Sequence, residues 1–328
     1  MRPSLADRLR SVVASRPAPA VPRVGGEQDA PLDRGPATFD AGASAVHRPS
    51  RPGGGPGPGA AALLGGEWRE RAEGAFILVE RFYPPDARYG RSTIGTIVDR
   101  LGSGADALGV LERAWPSARG VGRSTAPALA FLDLETTGIA GGAGTQAFLV
   151  GCASIDGRGL RVQQFLLPAF EHERALLAEV SGWARTPQTL VTFNGRTFDV
   201  PLIETRYLYH RLSFPLGDTP HLDMLHPARR LWRARPAIAA PPLDPFGRLR
   251  VDGERRRTVD EECCRLSVLE RHLAGVHRVG DVPGFEIPSR YFRFVRDGDA
   301  RPLEAVLEHN RLDLLSLALV TAHAIELI

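Results

Sequence analysis

The stretch FLDLETTG, residues 131–138, constrains this chain more than any other. Its alternation of apolar and polar residues predicts a half-buried strand, and side chains at i and i+2 of a strand share a face. Asp133 and Glu135 therefore stand side by side, roughly 7 Å apart at ~3.3 Å per residue. Leu132 and Leu134 face the other way. Carboxylates that close raise each other's pKa and cost stability. A fold that keeps them must bring something to the same spot to offset their charge.

The pattern around that strand sets the fold class. From Leu129 onward strand and helix alternate. Leu129 to Glu135, Phe148 to Ile155 and Leu160 to Leu167 read as strands, the last two joined by the hairpin-type turn DGRG. Glu171 to Ala184 reads as a helix. Leu190 to Phe193 is a strand that runs into a helix from about Phe198. His221 to Asp223 leads into a helix through Arg235, and Ser267 to Ala274 and Pro302 to the C-terminus are helical. Three strands joined by short turns, followed by alternating strands and helices, predict an α/β fold with a mixed sheet covered by helices.

Upstream, GAFILVERFYPP reads as a strand and Ala105 to Trp115 as helix-like, so residues 61–127 form an accessory segment before a main domain at 128–328. Residues 1–60 hold 10 of the 27 prolines and end in RPGGGPGPGA. They have too few apolar residues to bury a core and read as a disordered tail, with room for one short amphipathic helix, Leu5 to Val13. Residues 236–262, rich in proline, glycine and charge, read as an inserted surface loop with a hairpin signal at Asp252-Gly253. No repeat of 20 to 50 residues is present.

Composition excludes several classes. No apolar run approaches the ~18 residues of a membrane helix, and the N-terminus lacks the apolar stretch of a secretory signal. A soluble cytoplasmic protein is the expectation. Cys152, Cys263 and Cys264 contain no C-x-x-C and suit neither a disulfide framework nor a zinc site. The sequence has no lysine, and the eight arginines and five acids of residues 1–60 account for the whole net charge of +3. The remainder is neutral, so any case for a nucleic-acid partner must come from local sites.

Two further acids stand in awkward places. In LVTFNGRTFDVPLI, a short apolar strand ends at Phe193, Asn194-Gly195 turns the chain, Thr197 is placed to cap a helix, and Asp199 falls in its first turn. Loops after strand ends are where α/β sheets bind ligands. In VLEHNRLDLLSLAL, Asp313 lies at the centre of a helical stripe made by Val306, His309, Asn310, Leu317 and Val320. A buried, unpaired carboxylate is expensive and must be paired or bound to a metal; His309, one turn earlier, shares its face. If Asp133, Glu135, Asp199 and Asp313 meet, their repulsion calls for roughly two divalent cations. Carboxylate oxygens select Mg²⁺ or Mn²⁺ over zinc, and such a pair ~3.5–4 Å apart suits in-line attack on a phosphodiester. His309 is then placed to take the proton of the attacking water. On this reading, neutralising Asp313 in the metal-free protein leaves the fold intact or raises its stability.

At these residues the sequence resembles a known family. FLDLETTG, TFNGRTFD and HNRLD, in that order, look like the three motifs of the DEDD superfamily of 3′–5′ exonucleases, which have a ribonuclease H-like fold. FLDLETTG with GAGTQAFLVG, VTFNGRTFDVPLIETR, HLDMLHPARRLW, DVPGFEIPSRYF and HNRLDLLSL look more narrowly like its YprB-like branch. The resemblance covers about residues 128–328. It implies a mixed sheet, three antiparallel strands and then parallel ones, flanked by helices. It carries over to Asp133, Glu135, Asp199 and Asp313 as metal ligands and to His309 as the base. One branch of the superfamily has tyrosine four residues before the last aspartate and another has histidine five before it. Here histidine stands four before, so the spacing follows one branch and the residue type the other.

The implied activity is a metal-dependent nuclease, a 3′–5′ exonuclease on single-stranded DNA or RNA. The alternative is a nucleic-acid-binding module that keeps the fold and cleaves little. Other residues take lesser parts. Thr136 and Thr137 satisfy backbone groups at the strand end or touch the terminal nucleotide. Asn194 holds its turn or meets the substrate. Phe198 is core or a stacking platform, and Asp223 is a helix cap or a secondary site residue. Arg278 and Tyr291 either pack in a loop or meet phosphate and base. The glycines of GIAGGAGTQ match neither phosphate-binding spacing.

Overall fold

The computed structural model describes residues 56–104, 128–138, 144–185, 189–232 and 264–328. The tail before residue 56, the segments Leu5 to Val13 and Ala105 to Trp115, the 236–262 insertion and Cys263 lie outside these residues.

Seven strands form one sheet. In chain order they are β1 (Glu67–Arg71), β2 (Gly74–Tyr83), β5 (Leu129–Thr136), β6 (Ala147–Asp156), β7 (Gly159–Leu166), β8 (Thr189–Thr192) and β9 (His221–Asp223). Two-residue strands β3 (Arg88–Tyr89) and β4 (Ser92–Thr93) make a separate hairpin. The spatial order is β1-β2-β7-β6-β5-β8-β9. Pairing is antiparallel from β1 through to β5 and parallel from β5 to β9. β7, β6 and β5 are the three antiparallel strands, and β8 and β9 the parallel ones, of the mixed sheet that the resemblance implied; β1 and β2 extend its antiparallel side. The strand GAFILVERFY of the N-terminal segment joins the same sheet, pairing along β7 from Ile77 to Tyr83.

The described helices are α1 (Pro58–Leu63), α2 (Ile94–Ser103), α3 (Glu173–Trp183), α4 (Asp199–Tyr209), α5 (Leu225–Trp232), α6 (Leu266–Ala274), α7 (Ile287–Asp297) and α8 (Arg301–Glu326). They cover both faces. Leu132 and Leu134 of β5, with Phe148, Val150 and Cys152 of β6, pack with Leu176, Leu177 and Val180 of α3 and Ile203 and Tyr207 of α4. Leu129 and Phe131 face the other way and pack with Val162 of β7 and with Leu314, Leu317 and Ala318 of α8. From Leu314 to Ala322 every residue of α8 is buried, as a helix that is apolar all round must be. Among the described residues no helix is long and apolar enough to cross a membrane.

Helix α7 is the main departure from expectation. The stretch DVPGFEIPSRYF, where this helix begins, reads as loop in the sequence. A proline in the first turn costs a helix nothing, since that N–H has no partner there anyway. The helix ends at Gly298, whose φ of +73° is the left-handed C-terminal stop that glycine allows.

Candidate active site

The site forms where one face of β5 changes character. Leu129 and Phe131 are core; the next two residues on that face are Asp133 and Glu135. β5 and β8 run parallel, so their C-terminal ends open on the same side, the side on which α/β sheets bind ligands.

Asp133 pairs in register with Gly151 of β6, and Gly151 with Gln164 of β7. The three share a row on one face. The missing side chain at Gly151 leaves a gap into which Asn310 of α8 descends; a Cβ on Gly151 would stand 2.1 Å from the Asn310 Oδ1. From there Asn310 donates through Nδ2 to the Asp133 Oδ2 at 2.8 Å and to its backbone carbonyl at 3.2 Å. The amide of Gln164 donates to Asn310 Oδ1 at 2.9 Å and to the Leu307 carbonyl at 2.8 Å. Two buried amides, Gln164 and Asn310, thus fix the first aspartate.

Asp199 arrives from β8. Asn194 adopts a left-handed conformation, φ 66°, which asparagine tolerates better than most residues. The turn it makes is tied down by Asp223 at the end of β9. That carboxylate accepts the backbone N–H of Asn194 at 2.7 Å, of Arg196 at 3.0 Å and of Leu225 at 3.1 Å. Asp223 therefore does more than begin α5; it shapes the loop that leads to Asp199. Thr197, expected as the helix cap, is not one. The N-cap position falls on Phe198, with no side-chain bond, because the turn consumes the preceding residues. At that position Phe198 is 54% exposed, so its core reading is corrected.

Asp313 and His309 meet as the i, i+4 spacing requires, His309 Nε2 lying 3.5 Å from the Asp313 Oδ2. The other imidazole nitrogen, Nδ1, lies 2.6 Å from Asp281 Oδ1. Asp313 Oδ1 accepts from Arg278 Nη2 at 2.6 Å. Arg278 is thus not a surface arginine for a phosphate. Its side chain is 6% exposed and gripped at two points by Glu270. Tyr291 is likewise withdrawn from substrate. It is buried in α7 and stacked on Phe148 at 4.0 Å, its hydroxyl without a partner among the described residues. Thr136 donates to the Gly138 carbonyl, and Thr137 accepts the Gln146 N–H at 3.0 Å, so both serve the backbone where β5 ends in a bulge.

Electrostatics shows that the acids form one system. Burial, then the charges of Asp313, Glu135 and Asp199, push the Asp133 carboxyl well above its usual range, against the Asn310 hydrogen bond. Burial, then Asp313, Asp199 and Asp281, push Glu135 up, against Arg278. Burial, then Asp223 and Asp313, push Asp199 up to about 7. The charge is unbalanced, and the oxygen donors are of the kind that hard divalent cations prefer. The placement is not that of a finished metal centre. Among the described residues no group of three or more histidine, cysteine, aspartate or glutamate side chains is gathered so as to hold an ion, and Asp313 is engaged by Arg278.

Sequence reading missed Gly151, Gln164, Asn310, Glu270 and Asp281. Asn310 stood in the stripe read from α8, and a buried asparagine on a core-facing stripe signals a buried partner. Asp281 lies in the DVPGFEIPSRYF stretch. Glu270 carries no local signal.

Residues 130–325 match the RNase_H superfamily. The chain belongs to that superfamily. The RNase H-like fold is a nuclease-type fold, and the order of strands and the helices on both faces described above are its architecture. It is similar to the uncharacterized protein YprB of Bacillus subtilis (strain 168), being 35% identical to it over 212 residues. That match takes in 63% of this chain and 43% of the relative, so the chain spans less than half of that protein's length. Among solved structures, the family B DNA polymerase from the hyperthermophilic archaeon Pyrobaculum calidifontis is similar at 13% identity and a TM-score of 0.40, over 62% of this chain and 25% of that one. That likeness is too loose for any residue comparison.

Proposed function

We propose that this RNase H superfamily member is a nuclease that hydrolyses phosphodiester bonds with Mg²⁺ or Mn²⁺, acting as a 3′–5′ exonuclease on single-stranded DNA or RNA. One observation carries the reading. Burial first, and then the charges of neighbouring acids, raises the carboxyls of Asp133, Glu135 and Asp199, which with Asp313 come from three distant segments. Carboxyls perturbed in this way and gathered at strand ends are characteristic of functional sites. Asp133, Glu135 and Asp199 would hold the cation, with Asp313 completing the set. When bound, the cation would supply an activated water and stabilise the leaving oxygen.

The chain's own residues have definable tasks. Asn310 holds Asp133 in one rotamer, and Asp223 holds the loop of Asp199. Asp281 orients His309. In the tautomer whose Nδ1–H is donated to Asp281, the Nε2 lone pair faces the Asp313 side of the cleft and serves as the proton acceptor. Phe198, exposed beside Asp199, offers a face for a terminal base.

A second reading, a nucleic-acid-binding module with little cleavage, is favoured by the Arg278–Asp313 pair and by the lack of a ready ion site among the described residues. A panel of 5′-labelled oligonucleotides, DNA and RNA, single- and double-stranded, with Mg²⁺ and with Mn²⁺, separates the two. A ladder receding from the 3′ end supports the exonuclease. Cleavage of a circular single strand makes it an endonuclease. Retention of oligonucleotide without cleavage under both metals establishes the binding module.

A further inference from the structure

Arg278 is a cation already inside the acid centre. It lies in the loop after α6, and its Nε donates to Glu270 Oε1 at 2.6 Å while its Nη2 donates to Glu270 Oε2 at 2.9 Å. The same Nη2 reaches Asp313 Oδ1 at 2.6 Å. Glu270 is buried and held from behind. The Tyr89 hydroxyl donates to its Oε2 at 2.9 Å, and the Ser316 hydroxyl contacts it as well. Tyr89 is fixed in turn by the β3–β4 hairpin. The next residue, Gly90, has φ +59° and lies so close to the Ala274 carbonyl that a Cβ would stand 2.2 Å from it. The N–H of Arg91 bonds that carbonyl at 2.8 Å, and its guanidinium bonds those of His272 and Leu273 at 2.7 and 3.1 Å. The hairpin thus closes the C-terminus of α6, and its tyrosine braces the glutamate that grips Arg278. Its Nη1 also lies 3.4 Å from Asp281 Oδ2, so with one guanidinium among three carboxylates and its fork engaged, Arg278 has little freedom to swing out to a phosphate.

We propose that Arg278 is a positioning residue and resident counter-charge: clamped by Glu270 and Tyr89, it holds one oxygen of Asp313 and keeps the substrate-free centre's affinity for divalent cations low. The inference rests on the proposed metal-dependent reading and explains why unbalanced acids and the absence of a ready ion site coexist among the described residues. A fixed positive charge within contact distance of a ligand oxygen opposes a second cation there, and it does so most where water is scarce.

The test is the affinity of the full chain for Mn²⁺ alone, read from the free-Mn²⁺ electron paramagnetic resonance signal at low ionic strength. Arg278→Gln should tighten binding about tenfold or more, while Arg278→Lys, which keeps the charge, should stay within about threefold of wild type. Glu270→Gln, outside the acid centre, leaves the charge of Arg278 to Asp313 and Asp281 and should weaken binding several-fold. A brace with no electrostatic role would give folded variants whose affinity does not follow charge in this way. Unchanged or weaker binding by a folded Arg278→Gln overturns the proposal. If that variant does not fold, unchanged or tighter binding by Glu270→Gln overturns it. Mn²⁺ bound equally by all variants removes the role of Arg278 and leaves the nuclease reading standing. Charge-dependent binding with no hydrolysis of any oligonucleotide supports Arg278 and removes the nuclease, and no Mn²⁺ binding by any variant removes both.

Discussion

Asp199→Asn in the metal-free protein measures what it costs to hold a carboxylate buried among other acids. The Asp199 carboxyl is lifted from its ordinary 3.8 to about 7, first by burial and then by Asp223 and Asp313. The folded-state value lies above the unfolded one. Between about pH 4 and pH 7 the folded chain therefore holds a proton that the unfolded chain has lost, and stability declines as pH rises through that window. At pH 8 the full cost is present, about 4 kcal/mol; at pH 5 it is about 2 kcal/mol. Asp199 is only partly buried, and solvent around it cuts both figures by roughly half. Asparagine removes the cost. In EDTA at low salt, scanning calorimetry should show Tm rising by about 4–8 °C at pH 8 and by about 2–4 °C at pH 5, at roughly 2–4 °C per kcal/mol. An equal rise at both pH values, or a fall at pH 8, refutes the electrostatic origin.

Asp313→Asn should gain less than Asp199→Asn in the same experiment at pH 8. The relief to Asp133 and Glu135 is offset by a weaker hold on Arg278, so an equal or larger gain would mean that the Arg278 pair contributes nothing. Gly151→Ala drives a Cβ into Asn310 and breaks the row from Gln164 to Asp133; Tm should fall by several degrees, about 1–3 kcal/mol, and an unchanged Tm would contradict the close packing. Tyr291→Phe removes a buried hydroxyl that has no partner among the described residues and should raise stability by about 1 kcal/mol in urea denaturation, whereas a loss would show that the hydroxyl has a partner.

The sheet and the four acids were legible because their signals are local. Alternation put Asp133 and Glu135 on one face, and a 3.6-residue period put His309 and Asp313 on another. What α8 packs against was hidden, since the gap at Gly151 has meaning only once β6 lies beside β5. The helix at Ile287–Asp297 was hidden by its proline. The partner of Arg278 was hidden because Glu270 lies eight residues earlier, a distance at which neither strand nor helix periodicity pairs side chains, and the turn after α6 brings them together. The core reading of Phe198 failed because the Asn194 turn places it at an exposed helix start.

Release of the 3′-terminal nucleotide from single-stranded DNA and RNA, with Mn²⁺ raised from zero, is the most direct trial of whether the gathered acids make a hydrolytic centre. Wild type should be silent in EDTA and gain activity with the metal, and folded Asp133→Asn should lose that gain by several orders of magnitude. Hydrolysis that persists in Asp133→Asn, or that never appears at any Mn²⁺ concentration, would contradict it.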